Sequence, residues 1–257
     1  MKRSFQSFFL GLYRVALTVG FLSTPLGTVA FEFAYQNYKR YFEVGRTNAL
    51  RAFVRPSTTV IDVGAFIGFF AVRFAHWVGP TGRVIALEPE SHNFASLQRT
   101  IHRNRLEDRV ELIMAAAAES SGVLSFKINP FNPAGHHISE FGTPMRANTL
   151  DELLEVRKWP TISLIKLDVE GAEDRVLRGA TETLARFHPA LFVEINDGAL
   201  RRMNSSSEHL LSTIINRGYV AHRLEHSHIS HALSNQEVLS LCKLRDYLDF
   251  LFIFSPS

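Results

Sequence analysis

Val60-Ile61-Asp62-Val63-Gly64-Ala65-Phe66-Ile67-Gly68 is a β-branched run that ends in an acid, a glycine and, four positions on, a second glycine. The apolar segment from Phe69 to Trp77 follows directly. Strand, tight turn and helix in this order open a nucleotide-binding α/β fold. At Gly64 the missing Cβ lets the backbone turn and a ligand come close. Asp62 bears on the charge of that ligand. A pyrophosphate at this strand end would be repelled by the carboxylate, whereas a cation would be attracted. S-adenosylmethionine carries a sulfonium and an ammonium, so the acidic-Gly-x-x-x-Gly turn favours it over NAD. Two glycines alone would be ordinary, since any tight strand–helix turn can use them.

The chain has 257 residues, 46% hydrophobic and 21% charged, which is a globular composition with ample core and excludes a disordered one. One domain with additions is expected: an N-terminal helical extension over residues 1–50 and the nucleotide-binding-type domain over 51–257. The net charge of +3 comes without any Lys/Arg block, so no nucleic-acid partner is expected. Cys242 is the single cysteine, which rules out an intrachain disulfide and a thiolate metal site. None of the histidines forms His-x-x-x-His on a convincing helix, and no metal site is assigned. Lys2, Arg3 and Arg14 precede an uncharged run from Val15 to Phe31 that Gly20, Pro25 and Gly27 interrupt. Three readings of it stay open: a helix docked on the domain, a membrane-surface segment with a basic flank, or a cleaved signal ending near Thr28-Val29-Ala30. A cytoplasmic location is expected, with peripheral membrane contact open and the oligomeric state unassigned.

From Thr58 onward strand-like and helix-like segments alternate. Strands are expected at Thr59–Val63, Arg83–Leu87, Arg109–Met114, Val123–Ile128, Ser163–Asp168, Ala190–Ile195, Tyr219–Leu224 and Phe250–Phe254. Helices are expected at Gly68–Trp77, Asn93–Arg103 with Ser91 as N-cap, Leu150–Val156, Ala172–Phe187 and Ser207–Arg217. Asn129–Arg146, rich in proline and glycine, is expected to be loop. The alternation argues for a mostly parallel, doubly wound α/β sheet with helices on both faces.

In such a sheet ligands sit at the carboxyl ends of the strands. Asp62, Glu88, Asp168 and Glu194 all fall at such ends. Glu88 lies twenty residues after Gly68, a spacing at which a carboxylate can accept both ribose hydroxyls. The small residues Ala115 to Ala118, Ala116 among them, offer a flat wall for an adenine ring or simply a helix start. Lys166 and Asp168 share one strand face, and Glu170 and Glu173 follow. Repulsion among three acids must be offset by a ligand or a partner charge. A carboxylate here can take the proton of a substrate hydroxyl as a methyl group arrives, and Asp168 is equally suited to a divalent cation. His136 and His137 lie in the long loop and are either substrate contacts or a surface pair. His76 reads as structural.

Asp62-Val63-Gly64-Ala65-x-x-Gly68, Glu88-Pro89, Thr149-Leu150-Asp151, Lys166-Leu167-Asp168-Val169-Glu170-Gly171-Ala172-Glu173, Val176-Leu177-x-Gly179-Ala180 and Glu194, in this order, resemble the FkbM family of methyltransferases. The likeness runs from about Thr58 to Ser255. It implies a class I, Rossmann-like methyltransferase fold with a seven-stranded sheet whose last strand is antiparallel. It also implies S-adenosylmethionine as cofactor and a hydroxyl on a sugar, glycolipid or secondary metabolite as acceptor, whether a free small molecule or a glycan or lipid-linked one. Carried onto this chain, Asp62, Gly64, Ala65 and Gly68 shape the pocket for the methionine part, and Glu88 holds the ribose. Asp168 lies nearest the methyl group, Glu170 is the base or substrate anchor, and Lys166 either tunes both or positions the acceptor oxygen. The loop with His136 and His137, together with Glu194, faces the acceptor. The family usually has asparagine where this chain has Phe66. A non-catalytic cofactor-binding module and an NAD-linked oxidoreductase are the rival readings.

Overall fold

The computed structural model describes residues 24–127, 137–139, 141–225, 228–245 and 247–256, with positions 16, 18, 20 and 21. Its centre is a sheet in which β1 (Thr59–Val63), β2 (Arg83–Leu87), β3 (Val110–Ile113), β8 (Ile162–Leu167) and β9 (Ala190–Ile195) run parallel. β12 (Leu248–Phe254) is antiparallel to both its neighbours, β9 and β10 (Tyr219–Glu225). The order is β11-β10-β12-β9-β8-β1-β2-β3, in which β11 (His228–Ile229) adds a two-residue edge to seven longer strands. The expected doubly wound α/β sheet with an antiparallel last strand is therefore the one observed.

Alternation along each strand divides the core in two. Val60, Val84 and Leu164 face the layer of α2 (Phe69–Trp77) and α3 (Ser91–Arg103), with Phe70, Phe74 and Leu97. Ile61, Ile85 and Ile165 face the opposite layer, with Leu177, Leu184 and Leu211. Burial on both faces explains why these strands read as continuous apolar runs. On the first face, register sets Asp62 directly beside Lys166.

Several expected boundaries shift for local reasons. Glu90, not Ser91, caps α3, its carboxylate accepting the Asn93 amide at 2.8 Å. The single helix expected over 172–187 is two, α5 (Glu173–Arg178) and α6 (Thr181–Phe187), divided at Gly179-Ala180. Asp151 holds the second, accepting the Thr183 amide at 2.8 Å and the Glu182 amide at 2.9 Å. Thr149 in turn caps α4 (Leu150–Glu155), so the Thr149-Leu150-Asp151 motif is structural. The stretch expected as loop contains β6 (His137–Ile138) and β7 (Thr143–Asn148), which join β4 (Ala116–Ala117) and β5 (Gly122–Lys127) in a second sheet, β4-β7-β5-β6.

Helix α1 (Pro25–Phe42) starts at a Thr24 cap and docks on α3. Its Glu32 is fully buried and holds Arg99 and Arg103, each at 2.7 Å. Among the described residues no helix is long and apolar enough to cross a membrane.

Candidate active site

The carboxyl ends of β1, β2 and β8 open into a cavity of about 710 Å³, counting its mouth. Gly64, Glu88, Asp168 and Glu170 line it from the large sheet, Ala116 from β4, and Tyr35 from α1. Phe126 and Ile138 close it from the second sheet. The element expected to be loop is thus one of its walls.

Glu88 stands at the cavity edge of β2. Its Oε2 accepts the Phe66 amide at 2.9 Å, and its Oε1 accepts the Glu90 amide at 3.1 Å and the Asn93 side-chain amide at 3.4 Å. Burial raises its pKa to about 7, against the pull of these three donors. A carboxylate accepts about four hydrogen bonds, so at least one lone pair remains for a ligand hydroxyl. Beside it, Ala115, Ala116 and Ala117 form a flat apolar wall. The pair fits a ribose and an adenine.

Asp62 departs from its expected place. It is fully buried, does not line the cavity, and meets the Lys166 ammonium at 3.2 Å. The same ammonium lies 3.5 Å from Asp168, and donates to the Gly64 carbonyl at 2.9 Å and the Val63 carbonyl at 3.4 Å. Burial lowers the Lys166 pKa, but Asp62 and Asp168 outweigh it and the group is held at about 12. The nearest charge to Asp62 is thus Lys166, and among the described residues neither of its buried oxygens has a hydrogen-bond partner. Burial, opposed by Lys166, raises its pKa.

Glycine 64 has the φ of +76° that turns the chain, and its location gives a second reason for the residue. A Cβ there would come within 1.9 Å of the Asp168 carbonyl, so only glycine lets β1 and β8 end this close together. Ala65 is buried and Gly68 faces Leu97 of α3, and neither lines the cavity. Between them Phe66 adopts φ +51°, a left-handed conformation that asparagine tolerates far better than an aromatic. Its ring meets Tyr35 edge to face, centroids 5.0 Å apart, and so joins α1 to the turn.

After β8 the chain turns through Glu170 at φ +53° and Gly171 at φ +101°. Glu173 braces the turn, its Oε1 accepting the Val169 amide at 3.1 Å and the Gly171 amide at 3.3 Å. This buried acid is thus structural, and burial lifts its pKa to about 7. Glu170 lines the cavity. Burial first, then the charges of Asp168 and Glu173, raises its pKa to about 8.

Glu194 lies on β9 opposite Asp249 of β12 and does not line the cavity. Burial, then Asp168, Asp249 and Glu170, push its pKa well up. Asp249 rises to about 6 for the same first reason, with Arg46 at 4.0 Å. Lys39 of α1 pairs with Glu43 at 2.9 Å and offsets part of this acidic field. His137 belongs to β6 by its backbone, and His136 lies outside the described residues. Among the described residues no group of side chains has the makings of a metal site. Tyr35, Asn93 and Asp249 escaped the sequence reading. Asn93, five residues after Glu88 at a helix start, carried the one usable signal.

A nucleotide-type pocket at the ends of β1 and β2, on a seven-strand order with an antiparallel last strand, is the architecture of a class I methyltransferase. The Methyltransferase FkbM domain family matches residues 62–221, and the chain belongs to that family. It is 27% identical over 197 residues to the hexuronic acid methyltransferase AglP of Haloferax volcanii, covering 72% of this chain and 80% of that protein. It is 29% identical over 163 residues to the 31-O-demethyl-FK506 methyltransferase FkbM of Streptomyces tacrolimicus, covering 50% and 62%. A crystal structure of methyltransferase FkbM from Methylobacillus flagellatus KT superposes with a TM-score of 0.53 at 18% identity, over 85% of this chain and 50% of that one.

Proposed function

We propose that this chain methylates a hydroxyl oxygen of a sugar, glycolipid or secondary metabolite, with S-adenosylmethionine as donor. The carrying observation is that one cavity holds both Glu88, with a lone pair to spare beside the Ala115–Ala117 wall, and the carboxylates of Asp168 and Glu170. When bound, the cofactor supplies a methyl already activated by its sulfonium. The residues Glu88, Ala116 and Gly64 would hold it, and the Asp168 carboxylate in the same cavity would favour its positive charge. Glu170 takes the proton as the acceptor oxygen gains the methyl. A carboxyl with a pKa of about 8 is well matched to that task near neutral pH. Lys166 keeps Asp168 in place and counters its charge.

The name of AglP points to a sugar acceptor for that relative. Calorimetric titration with S-adenosylhomocysteine, with NADH as control, tests the cofactor. Saturable binding of the first alone supports this reading, and no binding by folded protein sinks it. Glu170→Gln tests the base: turnover should fall by about 10²-fold or more with binding retained, and normal turnover would remove Glu170 from the role.

A further inference from the structure

The outward side of α1 is apolar where a free surface would be polar. Leu26 is 72% exposed, Val29 43% and Phe33 70%, and Ala30 is exposed between them. At helical spacing these residues form one stripe, on which no charged residue falls from Leu26 to Asn37. The helix's own acid, Glu32, points inward to Arg99 and Arg103. Single exposed leucines need no account, but a stripe of this kind marks an interaction surface.

The surroundings of the stripe are cationic. A groove between α1, α2 and α3 is lined by Phe33 of the stripe with Arg73, His76 and Arg103. Among the described residues the buried Arg73 Nε has no hydrogen-bond partner, while its other end donates to Asn48 at 2.8 Å. Arg99 and Arg103 share the one carboxylate of Glu32, which leaves a positive excess. Residues 1–23, which lead into α1, contain Lys2, Arg3 and Arg14, no acid, and the aromatics Phe5, Phe8, Phe9, Tyr13 and Phe21. Basic residues interleaved with aromatics and leucine are the composition of a segment that lies in a membrane interface.

We propose that α1 lays the Leu26–Val29–Phe33 stripe on an anionic lipid bilayer, with the Arg73–Arg103 groove at headgroup level. A second copy of the chain is the weaker occupant. A two-fold contact would set these arginines against their own copies, and one helical stripe falls short of the roughly 800 Å² per partner that a stable dimer buries. Tyr35, half a turn away on the inner side of α1, lines the cavity. The bilayer would therefore lie about one helix diameter, ~10 Å, from the cavity wall.

Flotation of the full chain with vesicles tests this, using phosphatidylcholine with roughly one third phosphatidylglycerol against phosphatidylcholine alone. The full chain should float with the anionic vesicles and less with the neutral ones. The triple variant Leu26→Gln, Val29→Gln, Phe33→Gln should bind the anionic vesicles about tenfold more weakly or worse, with an unchanged melting temperature. If the triple variant melts early, Phe33→Gln alone replaces it. Failure of the full chain to float, or a variant that floats as well as the parent, would overturn the proposal. So would sedimentation as a dimer that the variant turns into a monomer, which would give the stripe to a second copy.

Discussion

The pKa of about 7 at Glu88 makes cofactor-site binding pH-dependent in a way that can be worked out. Only the ionised carboxylate can accept a ribose hydroxyl with its remaining lone pair, because the protonated form gives that position to its own proton. With a pKa near 7, the ionised fraction is about one tenth at pH 6 and about nine tenths at pH 8. The dissociation constant of S-adenosylhomocysteine should therefore tighten about tenfold from pH 6 to pH 8, or ~1.4 kcal/mol. Glu88→Gln keeps the shape and accepts with one oxygen, so it should bind about 10- to 100-fold more weakly at pH 8, the cost of losing charged hydrogen bonds. Its pH profile should be flat, which also subtracts any titration of the ligand or of Glu170. The sign for stability is opposite. The folded pKa lies above the usual 4.5, so the folded chain holds a proton that the unfolded one has released. Ligand-free stability thus falls as pH rises from about 4.5 to about 7, and the melting shift given by S-adenosylhomocysteine should grow over the same range. Calorimetry at the two pH values decides. A flat wild-type profile, or an equal slope in Glu88→Gln, would refute the assignment of Glu88 to the ligand.

Lys166→Met leaves the buried Asp62 without its partner, and should cost about 3–5 kcal/mol in chemical denaturation. Asp62→Leu in the same chain should return more than half of that loss. Gly64→Ala sets a Cβ against the Asp168 carbonyl and keeps φ at +76°, so a loss above ~3 kcal/mol or no folded protein is expected from thermal melts. At Phe66, asparagine exchanges an aromatic pair of about 1 kcal/mol for relief of left-handed strain of similar size, so Phe66→Asn should melt within a few degrees of the parent. The β-branched Phe66→Val has no such relief and should lose about 2 kcal/mol. In the methyl transfer itself, kcat/KM should rise with pH up to about 8 as Glu170 ionises, and Glu170→Gln should abolish that limb.

The parallel strands could be read in the sequence because burial on both faces forces apolar runs, and Ala190–Ile195 came out to the residue. Local patterns also exposed Gly64, Glu88 and the Lys166–Glu173 block. What stayed hidden depends on distant pairing. β7, Thr-Pro-Met-Arg-Ala-Asn, shows no alternation, because its order comes from pairing with β5. The helix Asn235–Leu244 was overlooked although Ser234 and Glu237 form a capping box, a signal that was available. The pairing of Asp62 is not legible, because its position at a strand end says nothing about which partner the neighbouring strand presents. That partner, Lys166, is set by the β1–β8 register.

This register has a consequence for the chemistry. Lys166 donates to the last carbonyls of β1 while its charge lies between Asp62 and Asp168, so it ties the ends of two strands together at the cavity floor. An apolar pair of the same volume would be at least as stable, since two buried charges recover little beyond their desolvation. It would not fix Asp168, whose carboxylate is 35% exposed and borders the cavity. The neighbouring turn uses the same device, with Glu173 spending one oxygen on two backbone amides to hold Glu170 in a left-handed conformation. Asp168 and Glu170 are thus each positioned by a buried ionisable side chain, Lys166 and Glu173, that does not line the cavity. Preorganised carboxylates lose little freedom when the acceptor arrives. A conservative change in the supporting turn, Glu173→Gln, should therefore lower kcat while leaving S-adenosylhomocysteine affinity within about threefold, because Glu88 and its donors are untouched. If affinity and kcat fell together, the clamp would be holding the whole fold and not the reacting groups.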